Sequence, residues 1–244
     1  MTDIDALNGL LQLLDNRAKA GNPTRFWLRD DDAAQPDPAL DHLLDLTASY
    51  DVPLTLAVIP ATTGEALSQR LSTEPHVSVA VHGWSHSNHA PADEKKQELG
   101  HHRPAEVVTK ELSDGLNHLA ALYPDKFVPL LVPPWNRIAP EVVAALPSLE
   151  FRALSVFGPA REGALPMINT HVDLIDWKGT RGGRPAEMLL SEIIDHLQSG
   201  DIPLGILTHH LVHDVAAWRF LEQLFAATAK HPGCRWLRVS ELIG

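Results

Sequence analysis

The chain has 244 residues, 44% of them hydrophobic, and a formal net charge of −11. That length can bury a sizeable core and falls in the size range of a single α/β barrel, so one domain over 1–244 is expected. The charge argues against nucleic acid or an anionic membrane as partner, since either needs clustered Lys and Arg, and fits a neutral or cationic small substrate better.

Cys234 is the only cysteine, which excludes an internal disulfide framework and fits a reducing compartment. Met1-Thr2-Asp3-Ile4-Asp5 is acidic where a secretion signal is basic, and no apolar run is long enough to cross a bilayer. A cytoplasmic protein is therefore expected.

Ile4, Leu7, Leu11 and Leu14 recur at helical spacing from Asp3 to about Lys19, and Gly21-Asn22-Pro23 ends that helix, so 1–22 is expected to cover one end of the fold. Arg25-Phe26-Trp27-Leu28 reads as a short strand running into Arg29-Asp30-Asp31-Asp32. Three adjacent carboxylates repel, so they are either a solvated loop or share a cation or proton in a confined place. Leucines 40, 43, 44 and 46 mark a helix from Pro38 to Tyr50, and Pro53–Ile59 is the next strand. A weaker helix over Thr62–Leu71 leads to a strand from His76 to His82. Pro104–Leu122 reads as a long helix with proline in its first turn, and Phe127–Val132 as a strand ending in Pro133-Pro134-Trp135-Asn136-Arg137. Further strands are expected at Phe151–Val156, Met167–Thr170, Pro203–Thr208 and Trp236–Val239, with helices at Pro185–Gln198 and Val215–Lys230. Short apolar strands alternating with amphipathic helices mean parallel strands, in an open sheet or a barrel.

In such folds the active site is built at the carboxyl ends of the strands. There the sequence places Asp30 to Asp32, His82 with His86, Pro134-Trp135-Asn136-Arg137, His171 with Asp173, Asp176 and Trp177, and Thr208-His209-His210. His82-Gly83-Trp84-Ser85-His86 sets two imidazoles four residues apart around a turn that Gly83 and Ser85 make easy, so both can close on one divalent metal.

The order Asp-Asp, His-x3-His, Pro-Pro-aromatic, Asp-x2-Asp-Trp, Leu-x-His resembles the polysaccharide deacetylase family, the NodB-homology or carbohydrate esterase family 4 enzymes, from about Arg25 to His213. The resemblance implies a distorted (β/α) barrel and a hydrolase that removes N- or O-acetyl groups with one divalent metal, usually Zn2+, with Co2+, Ni2+ or Mn2+ as alternatives. It implies Asp32, His82 and His86 as metal ligands, Asp31 as base and His209 as acid; Asp30 and Asp31 are the alternative base and ligand. By the same resemblance one carboxylate of the pair Asp173 and Asp176 orients the histidine or an arginine, while Trp84, Pro134, Trp135, Asn136, Trp177 and His210 contact substrate. Val132 stands where the family has an arginine beside the base, a charge that Arg29 or Arg137 is expected to replace. Two other readings stay open: a metal-free glycosidase-like barrel using Asp31 and Asp173, and a catalytically silent relative that binds metal or sugar.

His42, His101, His102, His118 and His196 are expected in solvent. Asp214 is read as the N-cap of the helix at Val215, and Arg181-Gly182-Gly183-Arg184 as either an anion clamp or a turn before a helix. Trp84 and Trp135 either stack on a sugar or sit in the core.

Overall fold

The computed structural model of the chain describes residues 3–200 and 203–243; the opening Met1-Thr2 lies outside them. In chain order they form α1 (Asp3–Lys19), β1 (Thr24–Ala33), α2 (Pro38–Tyr50), β2 (Leu54–Val58), α3 (Glu65–Leu71), β3 (Val77–His82), α4 (Ala105–Leu122) and β4 (Phe127–Val132). There follow α5 (Pro140–Ala145), β5 (Ala153–Leu154), β6 (Val172–Asp173), α6 (Ala186–Ser199), β7 (Leu204–Thr208), α7 (Val215–Thr228), β8 (Cys234–Trp236) and α8 (Ser240–Ile243). The described residues fall into two compact units, one drawn from 1–30, 37–54 and 170–238, the other from 31–36, 55–169 and 239–244.

In the first unit β1 runs parallel to β7, with Phe26 beside Leu204 and Asp30 beside Thr208. β7 pairs in turn with β6, Asp173 lying beside Leu207, and the start of β1 also pairs with β8. This register brings Asp30, Asp173 and the residues after Thr208 to one end of the sheet. Helix α1 carries Ala6, Leu10 and Leu14 on its buried face, acidic residues in its first turn and basic ones in its last, which complements its dipole. Asp37 caps α2, its carboxylate accepting from the N–H groups of Ala39 and Leu40 at 2.8 and 3.0 Å, with Pro38 at the first position. Asp214 caps α7 in the same way through Ala217.

In the second unit the strand order is β5-β4-β3-β2. β3 and β4 are parallel and end level, His82 beside Val132. All of β2 and β3 is buried, the continuous apolar pattern of parallel strands covered on both faces. Helix α4 comes close to the β3 end because Gly115 carries no side chain: a Cβ there would lie 3.0 Å from Pro60 Cγ and 3.5 Å from the Gly83 carbonyl oxygen.

Several expectations need correction. β1 continues to Ala33, so Arg29 and the three aspartates are strand residues and not a loop. Arg29 and Asp30 have 0% exposure and Asp31 3%. Burial is sustainable because Asp30 and Asp32 each hold imidazoles, which removes the repulsion that favoured a solvated loop. Met167–Thr170 is not a strand: Met167 makes one isolated parallel bridge to Leu154, and β5 itself covers only two residues. The last strand is Cys234–Trp236, ending three residues ahead of where apolar content places its end, because a helix begins at Ser240. The helix expected from Thr62 starts at Glu65, and Pro104 and Pro185 stand at the N-caps of α4 and α6, one residue before the first turn. The short α5 and α8 carry no periodic signal of their own. His196, expected in solvent, is half-buried and packs on His171 at 4.2 Å, whereas His42 is exposed as expected, with its ring stacked on Trp218 at 4.3 Å and 10° between planes. No helix among the described residues is long and apolar enough to cross a membrane.

Candidate active site

In the second unit Asp32, His82 and His86 converge. Asp32 Oδ1 lies 3.1 Å from Nε2 of both His82 and His86. In a tetrahedral site with bonds of roughly 2 Å, neighbouring ligand atoms stand about 3.3 Å apart, so these three atoms are already spaced as ligands. The Nδ1–H of His82 donates to the Val132 carbonyl at 2.9 Å. That bond makes Nδ1 the donor to the backbone and turns Nε2 toward Asp32, the arrangement by which an outer hydrogen bond orients a metal-binding histidine. One carboxylate and two imidazoles suit a divalent transition metal.

Two of the three residues are held in the left-handed region, Asp32 at φ 73° and His86 at φ 57°. Such conformations cost energy for non-glycine residues and persist where the surroundings over-determine them. Electrostatics agree. Burial opposes ionisation of Asp32, yet hydrogen bonds and charge from His82 and His86 hold it well below the usual carboxylate range. Burial likewise opposes a charge on His82, but the Asp32 hydrogen bond and the nearby Asp31 carboxylate raise its pKa.

The turn between the histidines rests on Glu98, which is 1% exposed. Its carboxylate accepts from the backbone N–H groups of Trp84 (3.1 Å) and Ser85 (2.7 Å) and from Ser85 Oγ (3.0 Å). Trp135 packs on His86 at 4.3 Å and receives Lys96 over its ring at 5.9 Å. Trp135 and Asn136 occupy the left-handed region as well, at φ 56° and 57°. Pro134 is buried while Trp84 is only half-buried. Arg137 donates to the Lys96 carbonyl at 2.9 Å. His102, expected in solvent, is half-buried and lies 3.4 Å from Glu94, with His101 on its ring at 4.4 Å.

In the first unit the β7 end carries His209 and His210, which do different things. His210 is 1% exposed and gripped by Asp30, whose Oδ2 accepts from the His210 backbone N–H at 2.8 Å and whose Oδ1 bonds Nδ1. On the other side Asp37 Oδ2 stands 3.3 Å from His210 Nε2. Burial disfavours the imidazolium, but the two carboxylates outweigh it and raise the pKa to about 9. The expectation that His210 contacts substrate is therefore corrected, because it has no surface to offer. His213 bonds Thr208 and lies edge-on to Trp218, and burial pushes its pKa down to about 4.

His209 is 9% exposed and meets the ring of Trp177 edge-on at 4.7 Å. The Trp177 Nε1–H donates to Asp173 Oδ2 at 2.9 Å. Asp176 closes its own turn, accepting from the N–H groups of Gly179 and Thr180 at 3.0 and 3.2 Å, which leaves Asp173 as the carboxylate of the pair for the orienting part. Arg184 pairs with Glu192 and donates to the Asp173 carbonyl, so the turn before α6 is structural at that position.

No family model matches the sequence, and no curated protein matches it either. Solved structures do. A Mycobacterium smegmatis protein named as a polysaccharide deacetylase superimposes with a TM-score of 0.68 at 14% identity, over 91% of this chain and 90% of that one. The fold is that of the polysaccharide deacetylases. A family 4 acetyl xylan esterase from Clostridium thermocellum, solved with a cobalt ion, gives 0.58 at 18% identity over 89% and 90% of the two chains. A carbohydrate esterase family 4 pseudoenzyme from Bacillus anthracis gives 0.62 at 16% identity, over 91% of this chain and 66% of its own.

The polysaccharide deacetylase fold is a distorted (β/α) barrel of parallel strands and covering helices, the class implied by the resemblance; the strand and helix alternation alone left an open sheet or a barrel. Val132, where the resemblance leads one to look for an arginine, is fully buried and offers only its carbonyl, to His82. Glu98 escapes sequence reasoning because it lies in a polar stretch where any one of several Glu and Lys residues has equal claim. Asp30 reads in the sequence only as a spare base; no spacing rule links it to a histidine 180 positions away.

Proposed function

We propose that the protein is a metal-dependent deacylase that removes an acetyl group from an amino or hydroxyl position of a sugar, an oligosaccharide or a related small amide. The observation that supports this most is the Asp32, His82 and His86 triad, spaced as ligands with His82 Nε2 turned toward Asp32. A divalent cation there supplies Lewis acidity, polarising an acyl oxygen and lowering the pKa of a water molecule.

The chain's own residues divide the remaining work. Asp31 follows the paired Asp30 and precedes the ligand Asp32, and it takes the proton of the attacking water. Arg29, two positions earlier on the same strand and therefore on the same side by alternation, is the better replacement for the family's arginine, since Arg137 is committed to the Lys96 carbonyl. His209 returns a proton to the departing nitrogen or oxygen. Trp177, fixed by Asp173, sets the plane of the His209 ring. Trp84 and Trp135 offer aromatic faces to a sugar.

Zinc titrated by calorimetry into chelator-stripped protein tests the centre. One-to-one binding in the wild type that is lost in Asp32→Ala and His86→Ala is the expected result, and indifference to both changes overturns it. Acetate release from a panel of N- and O-acetylated sugars then tests the reaction. Metal binding without release from any of them favours the second reading, a silent relative, which the missing arginine at Val132 motivates.

A further inference from the structure

The His82 to His86 turn is an unusual piece of backbone. Gly83 is at φ 59° and His86 at φ 57°, so the chain reverses through two left-handed residues while presenting both imidazoles to Asp32. Its N–H groups at Trp84 and Ser85 bond no strand or helix, and a turn of this kind without acceptors samples many shapes.

Glu98 is the acceptor. One oxygen takes the Trp84 N–H, and the other takes both the Ser85 N–H and the Ser85 hydroxyl. The carboxylate is brought there by neighbours that bond outward from the same segment. The Leu99 carbonyl accepts from Ala139 N–H at 2.8 Å, the Glu98 carbonyl accepts from Arg103 at 3.2 Å, and Arg103 is itself paired with Glu111 at 2.8 Å. Closeness is extreme at Gly83, where a Cβ would fall 2.0 Å from Glu98 Oε2. Glycine is thus required twice, for its φ and for the approach of the carboxylate.

We propose that Glu98 is a positioning residue for the metal centre, a carboxylate that touches neither metal nor substrate but sets the distance between the two histidine ligands by holding the turn between them. This rests on the metal-dependent reading above. Its chemistry is specific to a carboxylate. Three donors converge on two acceptor oxygens, whereas the isosteric amide of glutamine has one oxygen and turns N–H groups toward the remaining donor. A merely space-filling role would be met equally well by glutamine.

The test uses the full chain and cobalt(II) as probe, with affinity measured by competition against a chelator and ligand geometry read from the visible d–d spectrum. Wild type, Glu98→Gln and Ser85→Ala are compared, and the thermal midpoint of the metal-free proteins is the control. Loss of an outer partner of this kind weakens metal binding by about 10- to 100-fold. Glu98→Gln is expected to fall in that range with an altered spectrum, and Ser85→Ala, which removes one of three donors, to lose only a few-fold. Wild-type affinity and spectrum in Glu98→Gln overturn the proposal while leaving the metal centre standing. If Glu98→Gln does not fold, Ser85→Ala decides: unchanged affinity there counts against the clamp. Absence of cobalt binding in the wild type defeats the metal-dependent reading and this proposal together.

Discussion

Asp30 holds His210 twice, through the backbone N–H and through Nδ1, although 180 residues separate them. The pair ties the middle of β1 to the turn that follows β7, and Asp37 approaches the free side of the same imidazole while also capping α2. Both members are almost wholly buried. Removing one carboxylate from such a pair leaves a buried charge without its partner, a loss of about 3–5 kcal/mol, and that is expected for Asp30→Asn in urea unfolding at neutral pH. Wild-type stability in the variant would show that the pair contributes nothing net.

The pair also sets an alkaline limit. The His210 pKa rises on folding from 6.5 to about 9. The stabilisation is therefore complete below about pH 6.5 and is lost as the pH climbs through 9; the shift corresponds to roughly 3 kcal/mol. Urea unfolding of wild type beside His210→Gln should show a stability difference that shrinks between pH 6 and pH 10. A difference constant with pH would mean that His210 is not held as the imidazolium.

How much of this was legible in the sequence follows from what kind of interaction makes each feature. Strands such as Val77–His82 and Phe127–Val132 and helices such as Pro38–Tyr50 are written in local apolar periodicity, and they stand within a residue or two of expectation. Strand β6, two residues long, has no such signal, since only its pairing with Ile206 and Leu207 on β7 defines it; apolar Met167–Thr170 draws the assignment instead. That the His82 and His86 rings come together, 5.1 Å apart, can be read from spacing because both sit on one short turn. Asp30 with His210 and Glu98 with Ser85 cannot, because each is a contact between separate segments, made only once the chain has folded.

Gly83→Ala should damage stability and metal binding together. The added Cβ would lie 2.0 Å from Glu98 Oε2 and 2.7 Å from two Pro134 ring carbons, at a φ of 59° that alanine tolerates poorly. Strain and displacement together are expected to cost at least about 2 kcal/mol. Chemical unfolding of the metal-free variant measures the first effect and zinc calorimetry the second. Wild-type values in both would show that the turn has more room than its geometry indicates.

If Asp32, His82 and His86 hold a metal as proposed, it should protect the folded chain, since these three residues are brought together only in the native state. Zinc at about 100 times its dissociation constant adds about 2.7 kcal/mol to the stability of a protein that binds it only when folded. A raised thermal midpoint that increases with zinc concentration is expected for the wild type and should be absent in Asp32→Asn, which leaves the carbonyl oxygen in place but removes the charge beside His82 and His86. An equal rise in both proteins would point to binding elsewhere, with Glu94, His101 and His102 the first place to look.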